Sequence, residues 1–536
     1  MYTRAQQIFL AILSGILLSI SWNNIFPGLI FIALVPLLIL ENDLSNQETS
    51  KSGTLFWLSW LSFVVWNGTA AWWVGYASFG GAIALLGFNS FWQAVVFWLF
   101  HISKRKLKIK ISWLILVAYW LAYEYIYQRT EISWPWFNLG NIFGNMVELV
   151  QWYEYTGTLG GTLWVLLINI GIASVILGYF QYKTLKSVRF KIVATTALLL
   201  LPSILSTVMY YHYREIKNPA RIAIIQPNID PYIEKFGKLT PTDQLKIILN
   251  EAEKANKQNI DYFIAPETAI IGINIEGKIH ESKGVISIKK FLKSNPGAKF
   301  VIGAETQKEF LPGEALSPTA RKNDSTNAWE DRFNSAMQID STGYIPIYHK
   351  SKLVIGVEKM PFSKYLKFLE KFPVKLGGTY GSLGDQGIRG TFISAGSSSV
   401  APIICFESVY GQFVTDYVKT GATILFVITN DGWWKNSPGT LQHLNLSRLR
   451  AIETRRSVAR SANTGISAFI DQKGDIIHSL EIGKRGSIIG NLNNNKQLTF
   501  YVKYGDYPGI IALLMSLFCF GSILFLRIRK RAPKRS

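Results

Sequence analysis

Three polar side chains that follow apolar stretches of the sequence are suited to nucleophilic acyl chemistry. Glu267 closes "DYFIAPE", Lys350 lies in "YIPIYHKSKLV", and Cys405 lies near the end of "VAPIICFE". A cysteine attacks a carbonyl group as a thiolate, and it needs a base such as a carboxylate to remove its proton. The tetrahedral intermediate then needs positive charge at its oxyanion, which a lysine ammonium supplies. The three residues are therefore a candidate base, oxyanion donor and nucleophile.

Each of these residues also has an ordinary structural explanation. A lone cysteine in an apolar strand commonly fills a core. Lys350 lies near Lys352 and would be a solvated surface residue, and Glu267 would cap a following helix. Cys405 and Cys519 are the two cysteines of the 536-residue chain, and Cys519 lies in an apolar run, so a structural disulfide is not expected. Spacing alone therefore leaves the role of Cys405 open.

Residues 212–505 alternate between strand-like and helix-like patterns, which predicts a layered α/β domain. Strands are predicted at 221–229, 261–267, 299–306, 334–340, 400–407, 422–430 and 465–471. Helices are predicted at 241–258 and 440–462. Because α/β domains place their chemistry at strand ends, this architecture is expected to position Glu267, Lys350 and Cys405.

The chain is too apolar for a wholly soluble protein, with 49% hydrophobic and 17% charged residues. Apolar runs near the length of a hydrocarbon core occur at both ends. Transmembrane helices are predicted at 8–22, 26–40, 55–77, 81–101, 112–127, 160–180, 191–211 and about 508–526. The first two runs are short, and a buried helical hairpin is their alternative. We predict a membrane domain over 1–211, a soluble domain over 212–505, and a C-terminal helix with a basic tail over 506–536.

The distribution of lysine and arginine predicts the orientation of these spans. Positive charge concentrates in the short segments 102–111, 181–190 and 527–536, which the positive-inside rule places in the cytoplasm. The segment 41–54 is acidic and is a mild exception. Residues 212–505 then lie outside the cytoplasm. Part of the net charge of +21 is thus explained by the basic segments that orient the spans, and the charge does not imply that the protein binds nucleic acid. Anionic lipid head groups are a more suitable counterpart.

The candidate residues carry a resemblance to a known family. "APE" with Glu267, "YHKSKLV" with Lys350 and "ICFE" with Cys405 resemble the Glu-Lys-Cys triad of the nitrilase superfamily, in the same chain order. Together with the apolar runs, they resemble its membrane-embedded apolipoprotein N-acyltransferase family, and "AIIQPNI", "TNDGWW" and "GDYPG" fit that family as well. The resemblance covers most of the chain. It implies a polytopic α-helical membrane domain joined to an α-β-β-α sandwich.

The resemblance also implies an activity, a location and partners. A fatty acyl chain would pass from a membrane phospholipid to a cysteine thioester, and then to the α-amino group of a diacylglyceryl-modified N-terminal cysteine on an apolipoprotein. The enzyme would be a multi-pass protein of the bacterial inner membrane with its catalytic domain on the periplasmic side. No cofactor, metal or nucleic acid is expected, and the chain would act as a monomer among membrane lipids.

Carried over by position, the resemblance assigns roles to individual residues. Glu267 would be the general base, with a pKa raised by a dry pocket. Lys350 would stabilise the oxyanion, and the backbone N–H of Phe406 would be a second donor if the chain turns sharply after Cys405. Two further acidic residues, Glu358 and Glu407, would position the base and the lysine.

The sequence departs from the family pattern at three places. "LVIGVEKMPF" keeps Glu358 but lacks the family's preceding Pro-Phe-Gly, which puts the local turn in doubt. Phe406 stands where tyrosine is common, so a phenolic hydrogen bond would be absent. A loop tryptophan expected after the first strand has no clear counterpart, and Phe236 is a candidate substitute.

Two other functions fit parts of the sequence. A membrane-bound amidase of the same superfamily would hydrolyse small amides, with water in place of the amine, although so many spans exceed what a tether needs. A non-catalytic transporter or scaffold would show charged residues inside its spans. Glu124 in "AYEYIY" is the one obvious case, so this alternative ranks last.

Overall fold

The computed structural model describes residues 2–47, 52–107, 112–256, 259–324, 326–341, 343–360, 382–393 and 398–531. The chain divides into two compact units. One comprises Met1–Gly75, Phe79–Tyr211 and Tyr504–Ser536, and the other Tyr76–Ser78 and His212–Lys503. Parts of the predicted cytoplasmic segments, at 48–51, 108–111 and 532–536, lie outside the described residues.

The N-terminal region and the C-terminal end are helical. The helices are α1 (Arg4–Trp22), α2 (Val35–Ser45), α3 (Ser52–Ala70), α4 (Val74–Ala77), α5 (Phe79–Leu107), α6 (Trp113–Tyr127), α7 (Tyr153–Thr156), α8 (Thr158–Tyr182), α9 (Arg189–His212) and, at the end of the chain, α15 (Tyr507–Arg531). Within the described ranges, six helical segments are long and apolar enough to cross a membrane. They are Arg4–Trp22, Pro27–Ser45, Phe79–Leu107, Thr158–Tyr182, Arg189–His212 and Tyr507–Ile528.

Two predicted spans correspond to less suitable helices. The run 55–77 falls on α3, which ends at Ala70, and the run 112–127 falls on α6, which has 15 residues. At 1.5 Å per residue, α6 is about 22 Å long and shorter than a hydrocarbon core of about 30 Å. The protein therefore has a polytopic helical membrane domain, while the number of seven N-terminal spans stays a prediction.

Glu124, which the sequence predicts inside a span, has partners within its own unit. Its Oε1 accepts hydrogen bonds from Trp120 Nε1 and from the backbone N of Leu139, both at 2.9 Å, and its Oε2 accepts one from Thr162 Oγ1 at 2.7 Å. These contacts join α6 to α8 and to the 3₁₀ segment Leu139–Asn145. Since buried polar groups need such partners, Glu124 has a structural explanation.

The second unit contains two sheets. The strands are β1 (Pro219–Gln226), β2 (Tyr262–Ile264), β3 (Lys299–Glu309), β4 (Arg321–Lys322), β5 (Trp329–Ile339), β6 (Ile347–His349), β7 (Phe392–Ile393), β8 (Ser399–Ile404), β9 (Ile424–Thr429), β10 (Val458–Ala462), β11 (Ser467–Ile470), β12 (Ile476–Leu480) and β13 (Gly486–Asn493). The described strands of the first sheet have the order β13-β1-β2-β3-β5-β4, with β6 paired to β5, and those of the second the order β12-β11-β10-β9-β8-β7. The centre of each sheet is parallel, β1-β2-β3 in one and β8-β9-β10 in the other.

Helices cover the outer faces of the two sheets. They are α10 (Pro241–Ala255), α11 (Lys283–Leu292), α12 (Gly411–Lys419) and α13 (Pro438–Thr454), with a short α14 (Phe500–Tyr504) before the C-terminal helix. α10 begins at a capping box between Thr240 and Asp243, and its apolar face packs with α11 on buried β2 and β3 residues such as Phe263. α12 and α13 contact β8 and β10.

The inner faces of the two sheets pack against each other. The rings of Tyr262 and Phe426 lie 5.3 Å apart between their centroids, and Ser461 Oγ donates to the backbone oxygen of Ile225 at 2.8 Å. The layers are therefore helix, sheet, sheet and helix. The predicted fold class, a polytopic helical membrane domain plus an α-β-β-α sandwich, is confirmed.

The helix predicted over 440–462 is partly wrong. α13 ends at Thr454 because Arg455 has a left-handed backbone with φ +49°, and residues 458–462 form β10 in the middle of the second sheet. The predicted strands correspond to β1, β2, β3, β5, β8, β9 and β11, although their ends are shifted.

Gly303 on β3 holds the turn that carries Glu267. Its backbone N donates to the oxygen of Pro266, and its oxygen accepts from the backbone N of Ala269 at 2.9 Å. A Cβ atom at position 303 would lie 2.6 Å from Glu267 Cα and 2.6 Å from the backbone N of Thr268. This approach requires glycine, because the atoms that would clash belong to the backbone.

We expect Gly303→Ala to destabilise the domain by about 1–3 kcal/mol, as overpacking commonly does. Thermal unfolding of the full chain in detergent micelles measures the effect. Gly297→Ala is the matched control, since a Cβ there meets nothing within 4 Å. Equal melting temperatures for the two variants would contradict this account of the turn.

Candidate active site

The sequence-predicted residues meet at one cavity of the second unit. Glu267 follows β2, Lys350 follows β6, and Cys405 follows β8, so each lies just beyond the end of a strand. All three line a cavity of about 250 Å³, together with Glu358 and Asn334. The first sheet supplies Glu267 and Lys350, and the second supplies Cys405. The site therefore forms where the two sheets meet.

The Lys350 ammonium lies between two carboxylates. Its Nζ donates to Glu267 Oε1 at 2.8 Å and to Glu358 Oε1 at 2.9 Å. Asn334 Nδ2 donates to the same two oxygens, each at 2.8 Å. The backbone N of Val354 donates to Glu358 Oε2 at 2.8 Å, so Glu358 faces Lys350 although the family's Pro and Gly are missing from this turn. Lys350 and Asn334 thus each bridge the two carboxylates.

The charges decide the ionisation of Glu267 and Lys350. Burial raises the pKa of Glu267, but the Lys350 ammonium and the hydrogen bond from Asn334 outweigh burial and hold that pKa below its ordinary value. Burial lowers the pKa of Lys350, but Glu267 and Glu358 raise it well above its ordinary value. The expectation of a raised pKa at Glu267 is therefore wrong, because an opposite charge 2.8 Å away outweighs desolvation.

Cys405 occupies a strained elbow. It is 8% exposed, and its φ of +49° lies in the left-handed region that non-glycine residues rarely adopt. Its carbonyl oxygen accepts a hydrogen bond from Ser408 Oγ at 2.8 Å and lies 3.1 Å from His443 Nε2. Burial and the Glu267 charge raise the pKa of the thiol above its ordinary value, although Lys350 acts in the opposite direction. The resting thiol therefore keeps its proton at neutral pH.

Glu407 joins the two halves of the site rather than contacting Lys350. Its Oε2 accepts from the backbone N of Ile404 at 2.8 Å, just before Cys405. Its Oε1 accepts from the backbone N of Ser351 at 2.6 Å, just after Lys350, and from Tyr348 OH at 2.7 Å. The carboxylate is fully buried. Glu407 therefore fixes the spacing between the segments that carry the cysteine and the lysine.

Aromatic side chains line the apolar part of the cavity. Phe236 and Trp433 both line it, and their rings stack 6.1 Å apart at an interplanar angle of 18°. Phe236 thus provides an aromatic wall where the family's loop tryptophan was expected. Phe406 is buried next to Cys405, with its ring edge-on to Tyr410 and the two ring centroids 5.3 Å apart.

Sequence reasoning missed two asparagines. Asn334 lies inside β5, and its link to both carboxylates depends on how β5 aligns with β3 and β6. Asn430 directly follows β9, and its backbone N donates to Glu267 Oε2 at 3.1 Å. The rule that selected Cys405, a polar residue at a strand end, also applies to Asn430. Its Nδ2 is buried and has no hydrogen-bond partner among the described residues, and Asn430 lines the cavity.

Sequence comparisons match this architecture in both parts of the chain. Residues 14–171 match the Apolipoprotein N-acyltransferase N-terminal domain, and residues 221–497 match the Carbon-nitrogen hydrolase family. The second match spans half of the chain and contains Glu267, Lys350 and Cys405.

Similar proteins align over nearly the whole length. An apolipoprotein N-acyltransferase of Chlorobaculum tepidum is 28% identical over 96% of this chain and 97% of its own length. One of Geobacter metallireducens is 26% identical over 93% of this chain and 91% of its own length. A solved amidase of the nitrilase superfamily from Nesterenkonia aligns at 16% identity over 53% of this chain and 93% of its own, with a TM-score of 0.36.

These matches favour the acyltransferase interpretation over the amidase and transporter alternatives, because relatives with that name share both the membrane part and the catalytic part. The chain belongs to the carbon–nitrogen hydrolase family, as a membrane-embedded acyltransferase with an apolipoprotein N-acyltransferase N-terminal domain.

Proposed function

We propose that the protein transfers a fatty acyl chain from a membrane phospholipid, through a thioester on Cys405, to the α-amino group of a diacylglyceryl-modified N-terminal cysteine on apolipoproteins. The observation that carries the proposal is the position of Lys350, 2.8 Å and 2.9 Å from two carboxylates in the cavity that Cys405 also lines. The names of the near full-length relatives support this substrate class.

In the first half-reaction, Cys405 takes the acyl chain. Glu267 removes the thiol proton as the sulfur attacks the carbonyl carbon of the phospholipid ester, so that a C–S bond forms and the carbonyl oxygen becomes an oxyanion. The Lys350 ammonium stabilises that oxyanion. The C–O bond to the glycerol oxygen then breaks, the proton passes from Glu267 to this leaving oxygen, and a lysophospholipid departs.

The pKa directions suit this sequence of proton transfers. Glu267 has a pKa below its ordinary value, so it is ionised at neutral pH and ready to accept a proton. The Cys405 thiol has a pKa above its ordinary value, so it does not ionise before the substrate arrives. Proton transfer and carbon–sulfur bond formation therefore proceed together, which keeps an isolated thiolate from forming in a buried site.

In the second half-reaction, the acceptor amine attacks the thioester. Glu267 removes a proton from the amine as the C–N bond forms, and the C–S bond then breaks to give the amide and a cysteine that regains its proton from Glu267. The backbone N–H of Phe406 and the side-chain amide of Asn430 are additional donors for the carbonyl oxygen. Burial of the site favours the amine over water, because free water at the thioester would hydrolyse it.

The same proposal includes the cellular setting. Phospholipid is the donor and diacylglyceryl apolipoprotein the acceptor, and the enzyme acts as a monomer in the bacterial inner membrane. The basic segments 102–111 and 181–190 support a cytoplasmic position for these loops and a periplasmic position for the catalytic domain.

Incubation of the purified full-length chain with phospholipid vesicles is expected to yield a hydroxylamine-labile fatty acyl adduct on Cys405. Intact-protein and peptide mass spectrometry detect it. Cys405→Ala removes the adduct, whereas Cys519→Ala, which changes the other cysteine of the chain, retains it. A diacylated lipopeptide with a free amine then clears the adduct as an amide product. Clearance by water alone at the same rate would support the amidase alternative instead.

Glu407→Gln is expected to slow acylation of Cys405 at least 10-fold and to lower stability by about 1–3 kcal/mol, because the amide NH₂ would face buried N–H donors. Tyr417→Phe is the control, since Tyr417 donates to Glu407 Oε2 at 3.2 Å and its loss leaves the bonds to Ile404 and Ser351. Stopped reactions with phospholipid, alkylation of Cys405 by iodoacetamide and thermal unfolding measure the two variants. Equal acylation and alkylation rates would show that Glu407 does not position the nucleophile.

A further inference from the structure

A second lysine lies buried behind the proposed base. Lys235 is 3% exposed on a π-helical turn, Glu234–Lys238, that follows β1. Its Nζ donates to Thr268 Oγ1 and, at 3.4 Å, to the backbone oxygen of Glu267. No step of the acyl transfer described above uses this ammonium. A charged group is expensive to bury, so its position needs an explanation.

The turn that Lys235 contacts is strained. Thr268 has a φ of +46°, which is unfavourable for a β-branched residue. Gly303 holds this turn from the β3 side through backbone hydrogen bonds, and Lys235 holds it from the other side. The orientation of the Glu267 carboxylate therefore depends on both supports.

Lys235 is linked to Glu267 by charge as well as by direct contact. The opposite charges of Lys235 and Glu267 stabilise each other, and the negative charge of Glu305 also stabilises the Lys235 ammonium. Burial lowers the pKa of Lys235 to about 8, so the ammonium form still predominates at neutral pH. The other ionisable groups facing Glu267 are Lys350, which it shares with Glu358, and the Cys405 thiol.

The backbone of Lys235 connects the base to the aromatic wall. Gln244 Nε2 on α10 donates to the Lys235 backbone oxygen at 2.6 Å. The next residue is Phe236, which stacks on Trp433 at the cavity. The turn Glu234–Lys238 thus carries both Phe236, which stacks on Trp433 at the cavity, and Lys235, which contacts the backbone of Glu267.

We propose that Lys235 is a positioning residue for Glu267, holding the Glu267–Thr268 turn and the ionised carboxylate while the adjacent Phe236 closes the apolar wall. This inference rests on the proposed function, in which Glu267 is the base. Lys235 acts through Glu267 and does not touch the reacting atoms.

Lys235→Met is expected to slow acylation of Cys405 by roughly 10- to 100-fold, the range for misplaced reacting groups. Loss of a nearby positive charge also raises the pKa of Glu267, so the acid limb of the rate profile moves to higher pH by about one unit. Single-turnover acylation with phospholipid vesicles, read by mass spectrometry between pH 4 and 9, measures both effects. A purely structural defect would lower the rate equally at every pH.

Lys238→Met is the matched control, since Lys238 lies on the same turn and is exposed. It is expected to keep the rate and the acid limb of the unaltered chain. If Lys235→Met does not fold, Lys235→Gln removes the same charge with a polar side chain and is expected to show the same shift of the acid limb. Thermal unfolding identifies the folded variants.

The outcomes separate this inference from the proposed function. An unaltered chain that forms no adduct on Cys405 overturns the proposed function and the role of Lys235 with it. Normal acylation of the unaltered chain, with an unshifted acid limb in Lys235→Met or Lys235→Gln, overturns the role of Lys235 alone.

Discussion

The catalytic unit depends on one buried ammonium shared between two carboxylates. Taking Lys350, Glu267 and Glu358 out of water carries a large desolvation penalty, which close contacts and further hydrogen bonds must offset. The distances of 2.8 Å and 2.9 Å supply the contacts. Asn334 Nδ2 donates to the same two oxygens as Lys350, and the backbone N–H groups of Asn430 and Val354 donate to the other oxygen of each carboxylate. Loss of any one of these donors would leave a buried carboxylate oxygen without one of its hydrogen bonds, which destabilises the folded domain.

The ion pair also sets the order of events at the thiol. Because Lys350 holds the pKa of Glu267 below its ordinary value, the proposed base is ionised while the Cys405 thiol keeps its proton. The elbow at Cys405 then has to hold a neutral thiol at the correct distance rather than stabilise a thiolate. Ser408 and Glu407 perform this task through the backbone around the cysteine. In the proposed reaction, the sulfur therefore loses its proton only when an acyl carbonyl is in place.

The sequence predicted the layered fold and the three central residues, because apolar strands followed by polar residues are a local pattern. Asn334 was missed because its contacts depend on strand alignment, and Lys235 was missed because its contacts join two turns that are distant in the sequence; neither leaves a local pattern. The strand 458–462 was also missed, because Arg460 is buried there by a salt bridge to Asp431 that no local signal reveals. The shift in the pKa of Glu267 was predicted in the wrong direction. The direction of that shift depends on whether burial or the ion pair with Lys350 has the larger effect. The prediction of membrane spans has a similar limit, which the short α6 illustrates. An apolar run in the sequence does not determine where the helix begins and ends.

The division of the site between the two sheets has a consequence for biogenesis. The proposed base and oxyanion donor, Glu267 and Lys350, come from one sheet and the proposed nucleophile, Cys405, comes from the other, so the proposed chemistry requires that the two sheets have docked. The cysteine of a partly assembled domain would meet phospholipid without a base or an oxyanion donor and would stay inert. Under the proposed mechanism, reactivity would arise only in the finished domain, so a chain that is still inserting into the bilayer would not acylate Cys405 prematurely.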